Sequence, residues 1–287
     1  MRRPVRLCAL FALLAAGCAA PPRESLSDFR EGLSAVGKES RIVFLEVNQT
    51  ARKAQLDRVE TLAMVTELDV APALPPPAVA EWNRALEALG AYASSLEILA
   101  AGGGGADVQA SVVKLGKRME ALVPEAPKST DELTKSVAHL AGLLTRAVAG
   151  AVARELMQDA DPDVRDVLTR LADIIGDSPA GGGIRTTLWS NWTTLASETR
   201  KAFPGADASR KRTIASTWAR QLEARDAADA ALAAIRQSLL DLADAHTAAS
   251  QGRAVDAAGI VALLRAQVAL ASSLLKTARD VDSGETR

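Results

Sequence analysis

Cysteine and histidine are almost missing, with 2 of each in 287 residues, and there is a single tyrosine. His139 and His246 lie far apart, each beside apolar neighbours, and neither sits in a His-x₃-His or Glu-x-x-His spacing. A metal centre or a Ser–His triad would need assembly from remote parts of the chain. Both histidines read instead as core-edge residues. Basic excess is lacking too: 34 Lys and Arg face 35 Asp and Glu, a formal charge of −1, which leaves no footprint for nucleic acid. Aromatics make up only 3%, and runs of β-branched residues are few, which disfavours sheet. No apolar run is long enough to cross a membrane. Ala257–Leu275 comes nearest, but Arg265 and Gln267 interrupt it, so it reads as a core helix.

Local motifs also fall short. Asp159-Ala160-Asp161-Pro162-Asp163 starts like a calcium loop, yet the positions that need glycine and glutamate hold Val164 and Arg170. A helix start accounts for the same residues, with Asp161 as N-cap, Pro162 in the first turn and Asp163 complementing the dipole. Ser111-Val112-Val113-Lys114 fits Ser-x-x-Lys, but the Ser-Asp-Asn and Lys-Thr-Gly elements of penicillin-interacting enzymes are absent. The glycine runs at 102–105 and 181–183 lack Gly-Lys-Ser/Thr and read as flexible linkers. No catalytic residue, metal ligand or cofactor is expected, and the chain is not read as an enzyme.

What is abundant is alanine and leucine at helical spacing. A capping box at Ser25 and Asp28 predicts a helix to about Glu67, ended by Pro75-Pro76-Pro77, with Leu26, Phe29, Leu33 and Val36 on one face. A second helix carries Trp82, Leu86, Leu89 and Leu96, and a third covers about 108–122. The next opens at Ser129 and Glu132 and runs through Leu140 and Leu144 to Leu156. A short helix capped by Asp161 follows, then one with Leu188, Trp192 and Phe203 on its stripe, closed by Pro204-Gly205. Asp207 or Ser209 opens the longest element, through Trp218, Leu232 and Leu239 to His246, and the last covers about 254–281. Wide stripes with short connections predict an all-α, elongated antiparallel multi-helix bundle over 26–281, with a candidate boundary near 124–128 and a disordered tail at 282–287. Trp82, Trp192 and Trp218 fall on the stripes and are expected in the core. Trp189 is offset from its stripe, and Arg210-Lys211-Arg212 is the dense basic run. These four are the candidate contact residues, for a partner protein or lipid headgroups.

Arg2, Arg3 and Arg6 precede an apolar run, Leu7–Ala16, far below the roughly 20 residues of a membrane span. That is the layout of a signal peptide. The run closes on Leu14-Ala15-Ala16-Gly17-Cys18, which resembles the lipobox of bacterial lipoproteins, although Ala15 stands where leucine is commonest and Leu14 precedes it. The resemblance covers residues 1–22 only. It implies removal of 1–17, diacylglyceration of the Cys18 thiol, acylation of the new amine with fatty acid such as palmitate, and a lipidated tether over 18–25. Cys8 leaves with the leader, so Cys18 is then the sole thiol and no internal disulfide can form. The remaining chain holds 31 Lys and Arg against 35 acids, a formal charge of −4. Ala19 in place of aspartate after the cysteine implies the outer rather than the inner membrane, by resemblance to enteric bacteria. The other reading is ordinary cleavage after an Ala-x-Ala-like site, which frees a soluble body.

The expected function is that of a lipid-anchored envelope protein with its body facing the periplasm or cell surface. Its role would be structural or adaptor-like, through helix-face contacts with another envelope protein. The alternative is a helical binding module for a small hydrophobic or peptidic ligand. A solvent-accessible apolar cavity would favour that alternative, and a tightly filled core would count against it.

Overall fold

The computed structural model describes residues 23–59, 76–101, 131–146, 153–253 and 256–282, with a few between them (64, 66–67, 72–74, 110 and 113–114). These form seven helices and no strand: α1 (Arg23–Val59), α2 (Pro76–Ala100), α3 (Asp131–Arg146), α4 (Ala153–Ile175), α5 (Gly183–Ala202), α6 (Ala208–Ser250) and α7 (Ala257–Asp282). The chain is an all-α bundle, as its composition predicts. Cys18, the glycine run at 102–105, Ser129, the boundary near 124–128 and most of the expected 108–122 helix lie outside the described residues.

The axis of the bundle is α6, whose 43 residues reach about 65 Å at 1.5 Å per residue. Asp207 caps it by accepting from the Arg210 backbone N–H at 2.8 Å. α1, α4, α5 and α7 all pack on it. Phe29 and Gly32 of α1 face His246 and Leu242, so α1 runs antiparallel to α6. α4 does the same, with Arg154 opposite Ser250 and Arg165 opposite Asp244. The expected stripes are the buried ones: Leu26, Phe29, Leu33 and Val36 on α1, Leu232, Ile235 and Leu239 on α6, with Trp82, Leu89 and Leu96 from α2. Each large side chain so buried contributes about 1.5–3 kcal/mol, and one contiguous core unites all seven helices.

Polar clamps set the register of α1 against α2. The indole N–H of Trp82 donates to the Ser40 hydroxyl (3.0 Å), which donates to the Gly37 carbonyl (3.2 Å). Asn48 holds both backbone groups of Leu74, accepting at 2.7 Å and donating at 3.1 Å. Thus Leu74, just before α2, is tied back to α1 by side-chain bonds to its backbone.

Several boundaries differ from the sequence reading. α1 begins at Arg23, so Ser25 lies inside its first turn, buried, and does not cap it; at the other end Met64 and Thr66 are no longer helical. Asp161 is not an N-cap. α4 starts at Ala153 and continues through Pro162, because Leu156, Met157 and Ala160 before the proline and Val164, Val167 and Leu168 after it are all buried. Core burial on both sides outweighs the roughly 3 kcal/mol that an interior proline costs. Ala153–Leu156, expected to end one helix, therefore begin the next. The chain reverses between α3 and α4, since His139 meets Asp163 and Ser136 meets Asp166.

The run at 181–183 is a tight turn and not a flexible linker. Gly176, Gly182 and Gly183 take positive φ values of 92°, 97° and 77°. A Cβ on Gly183 would stand 2.6 Å from the Ile174 carbonyl oxygen, so this reversal requires glycine.

Two other glycines give a paired prediction. A Cβ on Gly32 would come within 2.5 Å of a Leu242 methyl, whereas one on Gly90 meets nothing within 4 Å. Urea denaturation is expected to show Gly32→Val less stable by about 1–3 kcal/mol. Gly90→Ala should be more stable by about 0.5–1 kcal/mol, since it only removes backbone freedom from a helix interior.

Candidate functional site

His246 is not at the core edge but inside it, with no solvent exposure. α6 delivers it to a point where α1, α2 and α4 converge. Its Nδ1 lies 2.8 Å from Asp161 Oδ1 on α4, and its Nε2 lies 3.0 Å from the Tyr92 hydroxyl on α2. Phe29 from α1 closes the site, its ring tilted 52° to the imidazole at 5.3 Å. An ionised Asp161 can only accept, so Nδ1 carries the hydrogen and donates to it, while Nε2 is paired with the Tyr92 hydroxyl.

Asp161 marks the wet end of this chain of bonds. The Thr247 hydroxyl stands 2.9 and 3.1 Å from its two oxygens, and Arg165 bonds Thr247 (3.1 Å) and Asp244 (2.7 Å) just outside. Burial pulls the Asp161 pKa upward, but the hydrogen bonds from His246 and Thr247 and the positive charge nearby outweigh it and hold the carboxyl below its ordinary value. Tyr92 is raised well above its ordinary value, first by burial and then by the charges of Asp161 and Asp163.

Carboxylate, imidazole and hydroxyl in this order resemble the layout of a hydrolytic triad. Here, however, the hydroxyl is a phenol with no solvent exposure, and the raised pKa keeps it protonated. No substrate atom can reach it without separating α2 from α6. The arrangement instead fixes the register of three helices, since any slip would strand buried polar groups. The sequence reading missed it. Asp161 looked like a cap, and nothing local joins residues 92, 161 and 246. His139 is elsewhere, exposed, with Nδ1 2.6 Å from Asp163. Among the described residues no group of three or more His, Cys, Asp or Glu is placed to hold a metal ion.

The four candidate contact residues lie on one helical hairpin, at different heights. Arg185 clamps its base, bonding Asp229 through two nitrogens (2.7 and 2.8 Å) and the Asp177 carbonyl at 2.6 Å. Higher up, Trp189 is half-buried beneath the Arg225 guanidinium, 3.8 Å from the ring centroid. It is thus not a bare contact patch. Trp192 is buried as expected, but Trp218 is only half-buried, under Arg200 at 5.4 Å. Phe203 belongs to the turn and not to the core stripe, and is 42% exposed beside the Lys211 ammonium at 5.7 Å. Arg210 and Arg212 are exposed. Trp189, level with Arg225, therefore sits about 20 Å down α6 from Lys211 and does not share a surface with the basic run.

No residue of α6 before Ala224 is buried. The indole N–H groups of Trp189, Trp192 and Trp218 are shielded from solvent without a hydrogen-bond partner. Ile184, Leu188 and Trp192 tie α5 into the core, and the N-terminal third of α6 is covered by ring faces under arginines rather than by buried residues of its own.

Open depressions lie among the described residues. A groove of about 640 Å³ runs between α1 and α2, floored by Leu33, Ile42 and Leu86 and edged by Arg30, Lys38 and Arg41. A notch of about 420 Å³ lies outside Asp161, lined by Arg165, Asp241, Asp244 and Asp256 among others. No protein-family model, curated protein or solved structure matches the chain.

Acidification tests the buried network. Asp161 has a depressed pKa in the folded state, so it contributes stability above the ordinary carboxylate value of about 4, and this is lost as pH falls through the folded value. Asp161→Asn should melt earlier at neutral pH, by about 1–3 kcal/mol, and show a shallower loss of stability between neutral and acidic pH. Tyr92→Phe should cost about 1–3 kcal/mol at both. Thermal melts across that pH range give both quantities.

Proposed function

We propose that this chain is a lipid-anchored bacterial envelope protein whose helical body acts as an adaptor, binding another envelope protein through helix faces. The N-terminal pattern ending at Cys18 supports the anchor. α1 begins at Arg23, so the body starts within about 20 Å of residue 18 even on a fully extended tether.

The observation that carries the adaptor reading is the outer face of α7. Val261, Leu264, Val268 and Ala271 bury one side of this helix in the core. The opposite side carries Leu263 (60% exposed), Leu270 (63%) and Leu274 (36%). Their spacing of seven and four residues sets them in one stripe, the pattern a partner helix or groove receives. Isolated leucines on a surface are ordinary, but an aligned row is the usual mark of a contact face. The Ala257–Leu275 segment is accordingly a core helix on one side only. Among the described residues no helix is long and apolar enough to cross a membrane.

A second reading, a binding module, is favoured by the α1–α2 groove, whose apolar floor and cationic rim suit an anionic amphiphile. Its weakness is that the core beneath is filled, and Arg30 and Arg41 already engage Glu97 and Glu87 on α2.

Two measurements test the proposal. Cys18→Ser is expected to release the protein from sedimenting envelopes after a high-salt wash; unchanged sedimentation overturns the anchor. A photo-crosslinker at Leu270 is expected to capture one discrete envelope protein, and Leu263→Glu should abolish that product. Absence of any protein adduct, with lipid adducts alone, overturns the adaptor.

A further inference from the structure

The α5–α6 turn gathers a dense cluster of positive charge in a chain whose formal net charge is −1. From 199 to 213 the sequence holds Arg200, Lys201, Arg210, Lys211 and Arg212 against Asp207 alone. That one carboxylate is already committed to capping α6 through the Arg210 N–H. Arg210 and Arg212 project into solvent, and between the two helix ends stand Phe203, 42% exposed, and Pro204, also exposed.

We infer that this tip is a binding surface for anionic phospholipid headgroups. Arg210 and Arg212 would take the phosphates, since a guanidinium fork matches a phosphate oxygen pair. Phe203 would enter the boundary between headgroups and acyl chains, where an aromatic ring flanked by cations is favoured. The shape of the site selects lipid over an acidic protein. Phe203 is the one large apolar side chain exposed between residues 199 and 213, too little to build the apolar centre of a stable protein interface. A membrane asks only for a few cations and one apolar wedge, each cation adding up to about fivefold in affinity.

The geometry also separates this site from the N-terminus. Phe29 lies level with His246, and α6 extends about 50 Å from there to Lys211. Arg23 lies a further turn and a half the other way, so the tip stands about 60 Å from the start of α1. The inference therefore does not rest on Cys18, and a signal at the tip is not produced by residues near the leader.

Hydrogen exchange of the full chain carrying Cys18→Ser, followed at residues 200–213, tests it. Vesicles of phosphatidylcholine, vesicles containing phosphatidylglycerol, and soluble polyglutamate are the three probes. Protection is expected with the anionic vesicles, weakening as salt is raised, and not with phosphatidylcholine. The double variant Arg210→Glu, Arg212→Glu should lower the apparent vesicle affinity at least about tenfold. Phe203→Ser should also weaken it while leaving the circular dichroism unchanged, because all three side chains are exposed. Equal protection by polyglutamate would transfer the site to acidic proteins and overturn the lipid assignment. Absence of protection on anionic vesicles, or protection that survives the charge reversal, would overturn it as well.

Discussion

An imidazole shut away from water must find a hydrogen-bond partner for each of its two nitrogens, and His246 meets that demand only where α2 and α4 both touch it. Tyr92 and Asp161 are those partners. Leucine and alanine stripes tolerate sliding by a turn, because one methyl surface resembles the next. The imidazole does not. A slip of either neighbouring helix would leave a buried nitrogen or a buried phenol unpaired, at a cost comparable to a sizeable fraction of a domain's net stability. This contact converts a generic helical bundle into one register.

From that fixed point α6 plays two roles along its length. Its C-terminal part, from about Ala224 to Ser250, carries all its buried residues and packs with α1, α4 and α7, while its N-terminal third has no buried residue and pairs with α5. The change of partner falls where Arg185 holds both Asp229 and the turn at Asp177. That pair is largely screened from solvent and two-pronged, so it resists bending at the junction where packing alone is thinning. The α5–α6 hairpin is thereby braced against the rest of the bundle, and α6 runs unbroken through both.

Much of the fold is legible in the sequence. The buried stripes of α1, α2, α6 and α7 fall where 3.6-residue spacing puts them, and Asp207 caps α6 as its residue type suggests. The errors have one source. Ser25, Asp161 with Pro162, and Gly181–Gly183 were each read by local rules for caps, helix starts and linkers. In each case long-range packing overrode the rule: buried residues flank Pro162 on both sides, and the glycines fit a turn pressed against Ile174. Phe203 and Trp218 failed for a related reason. Helical spacing shows which residues share a face but not whether another helix arrives to cover that face.

The amino-acid sequence alone determined helix against strand, the apolar face of each helix, the scarcity of groups able to bind metal, and the leader-like N-terminus. These follow from composition and short-range periodicity, which act over a few residues. Only the tertiary structure decided that residues 92, 161 and 246 form one network, that Arg210–Arg212 and Phe203 share an exposed tip, and that Leu263 and Leu270 face outward. Those outcomes depend on which helices become neighbours. That choice is set by summed packing and by the need to satisfy each buried polar atom across the whole bundle, and no local stretch of chain records either.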